Sequence, residues 1–243
     1  MTRYVLKRIL YMLLTLLIVA TVTFFMMRSI PGDPLGGMAR ELPEQTKANY
    51  YAKYGLDKPL IEQYLIYIKN MIQGDLGESL LYPGRSVSAT IAATSPVSGL
   101  VGGIALVIGL LIGVCLGIIA ALKKNQWPDY VVMVIAIMGI TIPVFVLVSL
   151  MQYFFSIKLG WLPSSGWGEP KHLIMPVIVL SFSTIATYAR YIKSSMLDVL
   201  DQDYIFTARS KGLSEGQIVR RHVLRNSLLP AVTILSGRIV GIF

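Results

Sequence analysis

Five apolar runs set the limits on what this chain can fold into. The first, Ile9 to Met27, follows Arg3, Lys7 and Arg8 and, as a helix rising about 1.5 Å per residue, covers most of a hydrocarbon core about 30 Å thick. A secretory leader is the alternative, but the run exceeds a typical leader core and Arg28-Ser29-Ile30-Pro31 is a poor cleavage site, so it reads as a retained span. The second run extends from about Val97 to Leu122, the third from Tyr130 to Phe155 and the fourth from about Leu173 to Tyr191. The fifth begins at Leu228 and reaches Phe243 after about two-thirds of a span, so the expectation is a chain cut short inside it. Hydrophobic residues make up 54% of the chain and charged residues 14%, against about 25% charged in soluble domains. The expected fold class is all-α, a polytopic membrane helical bundle.

Within the spans, Gly109, Gly113 and Gly117 recur every four residues and leave a smooth face for close helix contact. Pro143 removes a backbone donor from the third span and predicts a kink there. Trp161 and Trp167 lie in a short loop, placed to anchor at the interface. Cys115, the single cysteine, excludes an intrachain disulfide and a thiolate cluster and is read as packing. After the first span (1–28), residues 29–96 change character to a small extracellular layer with turn signals at Pro31-Gly32-Asp33-Pro34 and Gly74-Asp75-Leu76-Gly77. Leu60, Ile61, Tyr64, Leu65, Ile68, Met71 and Ile72 fall at helical spacing there, predicting an amphipathic helix whose apolar face packs on the ends of the spans. Residues 97–243 form the membrane core.

One polar stretch interrupts that core, Asp201 to Pro230. Asp203 is placed to cap a short helix through Thr207 and Ala208 that stops at Gly212, where glycine turns left-handed without steric cost. Ser214 begins a second helix, with Gln217 three residues on to complete a capping box. Two short helices folded at a glycine and carrying Arg209, Lys211, Arg220, Arg221 and Arg225 make a rigid knob that a soluble partner can grip; the plainer reading is a basic loop retained on the inner side. With the amino end inside, the inner segments hold twelve Lys/Arg and five Asp/Glu, the outer ones nine and eight, so both the amino end and the knob are expected inside.

The net charge of +9 does not point to nucleic acid, because the basic residues flank apolar spans and no stacking or base-reading module accompanies them. There is no His-Glu-x-x-His, no Gly-x-Ser-x-Gly and no metal-spaced cluster, and His172 and His222 stand alone. Leu213-Ser214-Glu215-Gly216-Gln217 imitates the signature loop of ATP-binding cassettes, yet the chain contains no Gly-Lys pair and hence no phosphate-cradling loop. The chain is therefore expected to bind no ATP and to hold no catalytic or metal site.

The knob resembles the cytoplasmic loop of importer permeases of the ATP-binding cassette class, with the pattern Glu-Ala-Ala-x3-Gly-x9-Ile-x-Leu-Pro. Ala208 takes the second alanine, Gly212 the glycine, His222 the isoleucine and Leu224 the leucine; Phe206, Thr207 and Arg225 depart from it, and Leu229-Pro230 arrives five residues late. The variant is similar to that of the dipeptide and oligopeptide branch, Thr-Ala-Arg-x-Lys-Gly-Leu followed by Leu-Arg-Asn-x-Leu-x-Pro. Pro31-Gly32-Asp33-Pro34, Tyr54-Gly55-Leu56-Asp57-Lys58-Pro59-Leu60, Gln63-Tyr64 and Gly74-Asp75-Leu76-Gly77-Glu78-Ser79 resemble the same branch. The resemblance implies the type I importer membrane fold, normally of six spans. It also implies a permease subunit that works with a second homologous permease, two cytoplasmic ATPases carrying ATP and Mg, and an extracellular or lipid-anchored substrate-binding protein received by the outer layer. The implied coupling residues are Asp203, Tyr204, Thr207, Ala208, Arg209, Lys211 and Gly212, docking in an ATPase cleft, supported by Arg225, Asn226 and Pro230. The implied location is the cell membrane and the cargo a peptide; nickel or another chelate is the nearest alternative, and a secondary transporter or channel a more distant one.

Arg238 is the one charge inside a span, about 15 Å past the knob and near the bilayer centre. Arginine there costs about 2.5–3.5 kcal/mol on insertion scales, so it faces a bundle interior, a wet cavity or a partner. Two roles stay open, lining the pathway for a peptide carboxylate and pairing with the partner permease.

Overall fold

The computed structural model describes residues 2–30, 44–79, 82 and 84–242. They fall into two compact units, Met1–Thr94 and Ser95–Phe243. Four helices are long and apolar enough to cross a membrane, and a bent helix pair makes a fifth if counted as one span.

In the first unit α1 (Thr2–Ser29) is the amino-terminal span. The hydroxyls of Thr15 and Thr21 donate back to the carbonyls of Tyr11 and Leu17, so these two groups are satisfied inside the helix. Helix α2 (Glu44–Tyr54) precedes α3 (Leu60–Ile72), which fills the amphipathic segment expected from its periodicity. Helix α3 packs on α1 through aromatic rings: Tyr64 and Tyr67 lie 5.5 and 5.4 Å from the Phe24 ring, and the Tyr64 hydroxyl is 2.7 Å from Thr21 Oγ1. Only part of the expected apolar face is used, since Leu60, Ile61, Leu65 and Ile72 stay exposed. The turn signal at Pro31 to Pro34 lies outside the described residues.

Helix α4 (Val87–Leu122) begins ten residues before the expected start of the second span and runs through Pro96. In its polar beginning the Thr90 and Thr94 hydroxyls donate back to the carbonyls of Ser86 and Thr90, so they are satisfied within the helix. In the second unit it is followed by α5 (Trp127–Thr141), α6 (Val144–Met151) with a π-helical continuation over Gln152–Lys158, and α7 (Lys171–Leu200).

Helix α7 is the axis of this unit, burying Met175, Ser181, Ala186, Tyr188, Ile192 and Met196 among others. The glycine stripe of α4 lies on it as its spacing predicts. A methyl group at Gly109 would sit 2.6 Å from Thr184 Cβ, and one at Gly113 would sit 2.8 Å from Tyr188 Cβ, closer than real Cβ atoms approach. Pro143 does more than kink its span. The pair Trp127–Thr141 and Val144–Lys158 is bent by 102°, a broken or re-entrant span in place of a straight one. Proline disfavours the helical conformation in the residue before it, and Ile142 is extended at φ −73°, ψ 120°.

Candidate functional site

The polar knob is an elbow between α7 and the last span. Helix α8 (Asp203–Ser210) follows a two-residue turn, and α9 (Glu215–Ile218) follows Gly212, whose φ of 79° ends α8 in the left-handed region as expected. The capping box also forms: the Ser214 N–H donates to Gln217 Oε1 at 3.0 Å and the Gln217 N–H to Ser214 Oγ at 3.4 Å. Asp203 is not the cap. Gln202 holds that position without a side-chain bond to the helix, because its amide donates to the Asp198 carbonyl instead; Asp203 is the first helical residue, where its charge favours the positive end of the helix dipole.

The second helix of the knob is not short. Helix α9 continues through a π-helical turn, Val219–Val223, into α10 (Leu224–Val240), making one 26-residue helix. Pro230 lies within it, where its missing N–H removes one intrahelical bond without ending the helix. The last span therefore begins inside the knob, well before Leu228.

The elbow has two faces. Ile205 and Ala208 of α8 are buried in a cluster with Tyr188, Ile192 and Met196 of α7 and with Ile218, Val223 and Ala231 of the last helix. This corrects the expectation for Ala208, which is packed into its own chain and offers a partner no surface. The reason is helical: residues three apart share a face, so α8 turns both positions to the core. The opposite side presents Asp203, Phe206, Thr207, Ser210 and Lys211, with Phe206 54% exposed.

Two contacts brace the elbow. Arg209 donates to both carboxylate oxygens of Glu215, at 2.7 and 3.2 Å, and Asn226 donates to the Tyr204 hydroxyl at 3.1 Å. The Arg209–Glu215 hydrogen bond, reinforced by the guanidinium charge, holds the Glu215 carboxyl below the usual carboxylate range and raises Arg209. Arg225 and Pro230 are exposed, and His222 is half-buried.

Below the elbow, Ser195 donates to the Ser227 carbonyl at 3.1 Å, and Arg238 donates to Thr187 Oγ1 at 2.7 Å, tying the last helix to α7 at two levels. Among the described residues Arg238 makes no ion pair. A pair that the sequence reading missed joins α5 to α7: Lys193 Nζ lies 2.5 Å from Asp129 Oδ1, and the Asn125 N–H donates to Asp129 Oδ2. Both residues flank apolar runs, which was the available signal, but 64 positions separate them. His172 Nδ1 accepts from the Glu169 N–H and shapes a loop. Cys115 is exposed on α4, not packed. Among the described residues no group of three or more His, Cys, Asp or Glu could hold a metal.

Fold and elbow together define a multi-pass membrane protein, with the spans of the second unit packed about one helix and a braced polar elbow at one membrane face. The family model described as the binding-protein-dependent transport system inner membrane component matches residues 113–243, and its amino-terminal counterpart matches residues 1–82. The chain belongs to this family of membrane components of binding-protein-dependent transport systems. It is 42% identical to the oligopeptide transport system permease protein OppB of Escherichia coli K12, over all of this chain and 79% of that protein. It is 41% identical to the dipeptide transport system permease protein DppB of Bacillus subtilis 168, over all of this chain and 78% of the relative. To DppB of Lactococcus lactis subsp. cremoris it is 40% identical, over all of this chain and 79% of the relative.

Proposed function

We propose that this chain is the permease subunit of an ATP-driven importer that carries oligopeptides or dipeptides across the cell membrane. In this reading a second homologous permease completes the pathway, two cytoplasmic ATPases bind ATP and Mg, and an extracellular or lipid-anchored binding protein delivers the peptide. This chain supplies no catalytic group. The names of its relatives support peptide as the cargo over nickel or another chelate. The excess of Lys and Arg in the inner segments supports an amino end and elbow on the cytoplasmic side.

The observation that carries the proposal is the two-faced helix α8. Its inner face shares one core with α7 and the last span, while its outer face leaves Phe206, Thr207, Ser210 and Lys211 to solvent. A push on the outer face therefore moves two packed spans, because a close-packed core transmits displacement that a loose loop would absorb. Ser195 with Ser227, and Arg238 with Thr187, carry that motion along the pair. Arginine has five N–H donors, so after its bond to Thr187 Arg238 keeps donors for a peptide carboxylate.

The test is uptake by proteoliposomes that contain the full-length chain, both ATPases, the second permease and the binding protein. Peptide accumulation that needs ATP and the binding protein is the expected result. Accumulation without the ATPases would point to a secondary transporter or channel, and uptake of a nickel chelate in place of peptide would overturn the cargo. In the same assay Arg238→Gln is expected to alter peptide preference; unchanged transport and preference would remove Arg238 from the pathway.

A further inference from the structure

Helix α3 carries two apolar stripes, and α1 covers only one of them. Tyr64 and Tyr67 lie against Phe24, Tyr64 also stacks on Phe25 at 5.5 Å, and its hydroxyl reaches Thr21. These contacts fall on one turn of α1, so α3 crosses that helix at a single level instead of running along it. The level can be placed. Thr21 is seven residues before Arg28 and Phe25 three, which at about 1.5 Å per residue sets the contact roughly 5–10 Å inside the charged end of the span. Amphipathic helices that lie in a membrane surface bury their apolar face by about the same 5–10 Å.

The second stripe is Ile61, Leu65 and Ile72, all exposed. At 3.6 residues per turn these three fall within an arc of about 40°, centred roughly 100° round the helix from the α1-facing tyrosines. Lys69 and Glu62 come next on the far side. A helix crossing a span at this depth thus has one face on the span, an adjacent apolar face in the plane of the acyl chains and a charged face toward water. Helix α1 is itself apolar and exposed along its length, at Leu13, Leu16, Leu17 and Val22 among others.

We propose that α3 is an interfacial helix whose Ile61, Leu65 and Ile72 stripe is immersed in the lipid of the leaflet at the carboxyl end of α1. Tyr64 acts as its depth anchor, its ring on the Phe24 and Phe25 aromatic shelf and its hydroxyl on Thr21. The arrangement holds α3 flat on the membrane independently of the cargo, so this inference stands apart from the peptide reading.

The test uses spin labels in the assembled transporter in phospholipid nanodiscs. In a Cys115→Ser background, single cysteines replace Ile61, Leu65 and Ile72, and Glu62 and Lys69 for comparison. All five are surface positions, so the labels leave the core intact. The expected result is a several-fold higher ratio of oxygen to aqueous nickel-chelate accessibility at 61, 65 and 72 than at 62 and 69. Nickel access at all five positions would place the stripe in water. Labels at 61, 65 and 72 that are immobile and shielded from both reagents would mean that another protein surface covers it. Either result overturns the proposal.

Discussion

Asp129 and Lys193 show what single residues contribute here. The carboxylate is 3% exposed, and its two partners come from different segments, Asn125 before α5 and Lys193 on α7. Removing one member of a buried ion pair leaves a charge without its counterion, whereas replacing both with neutral groups often costs little. Lys193→Met is therefore expected to destabilise the detergent-solubilised protein by about 3 kcal/mol, and Asp129→Asn in the same chain to recover most of that. Thermal unfolding of the two single variants and the double variant measures it; a double variant no better than the worse single one would show that the pair is not coupled. This contact was illegible in the sequence because nothing local links the two positions, whereas the Ser214–Gln217 box was legible because its partners are three residues apart.

The elements were legible where a period or a breaker fixed them. Four-residue glycine spacing marked a close helix contact on α4 without naming α7 as the partner, and Gly212 marked the end of α8. The inner face of α8 was not legible. Eight residues of mixed polarity do not say which side the core lies on, so the sequence alone does not show that Ala208 packs into the core. The start of the last span was hidden because its first turns are polar and read as a separate helix. The brace across the elbow yields a prediction at this scale. Because the folded state holds the Glu215 carboxyl below its unfolded value, the brace contributes fully above the unfolded value of about 4.3 and is lost as pH falls through the lower folded one. A spin label at Ser210→Cys, in the Cys115→Ser background, is expected to be ordered near neutral pH and to gain mobility as acid protonates Glu215. With Glu215→Gln it should be mobile in both conditions. An equally ordered label in that variant would mean that packing alone holds the elbow.

At the scale of the molecule, the proposed role of the second unit is to convert a contact at one membrane face into displacement of two spans. Its axis α7 is met by α4 through glycines, by α5 through Gly139 and the Asp129 pair, and by the last helix through the elbow core and two polar ties. The 102° break after α5 supplies an arm whose geometry the sequence signalled only as a kink. The transport account stands or falls on the outer face of α8, and the most direct measurement compares wild type with Phe206→Asp in the assembled transporter. The substitution alters an exposed ring and leaves Ile205 and Ala208 seated, so membrane assembly and thermal stability are expected to be unchanged. The account predicts that the variant loses copurification of the ATPases and ATP-driven peptide uptake together. Normal capture of the ATPases with normal uptake would contradict it.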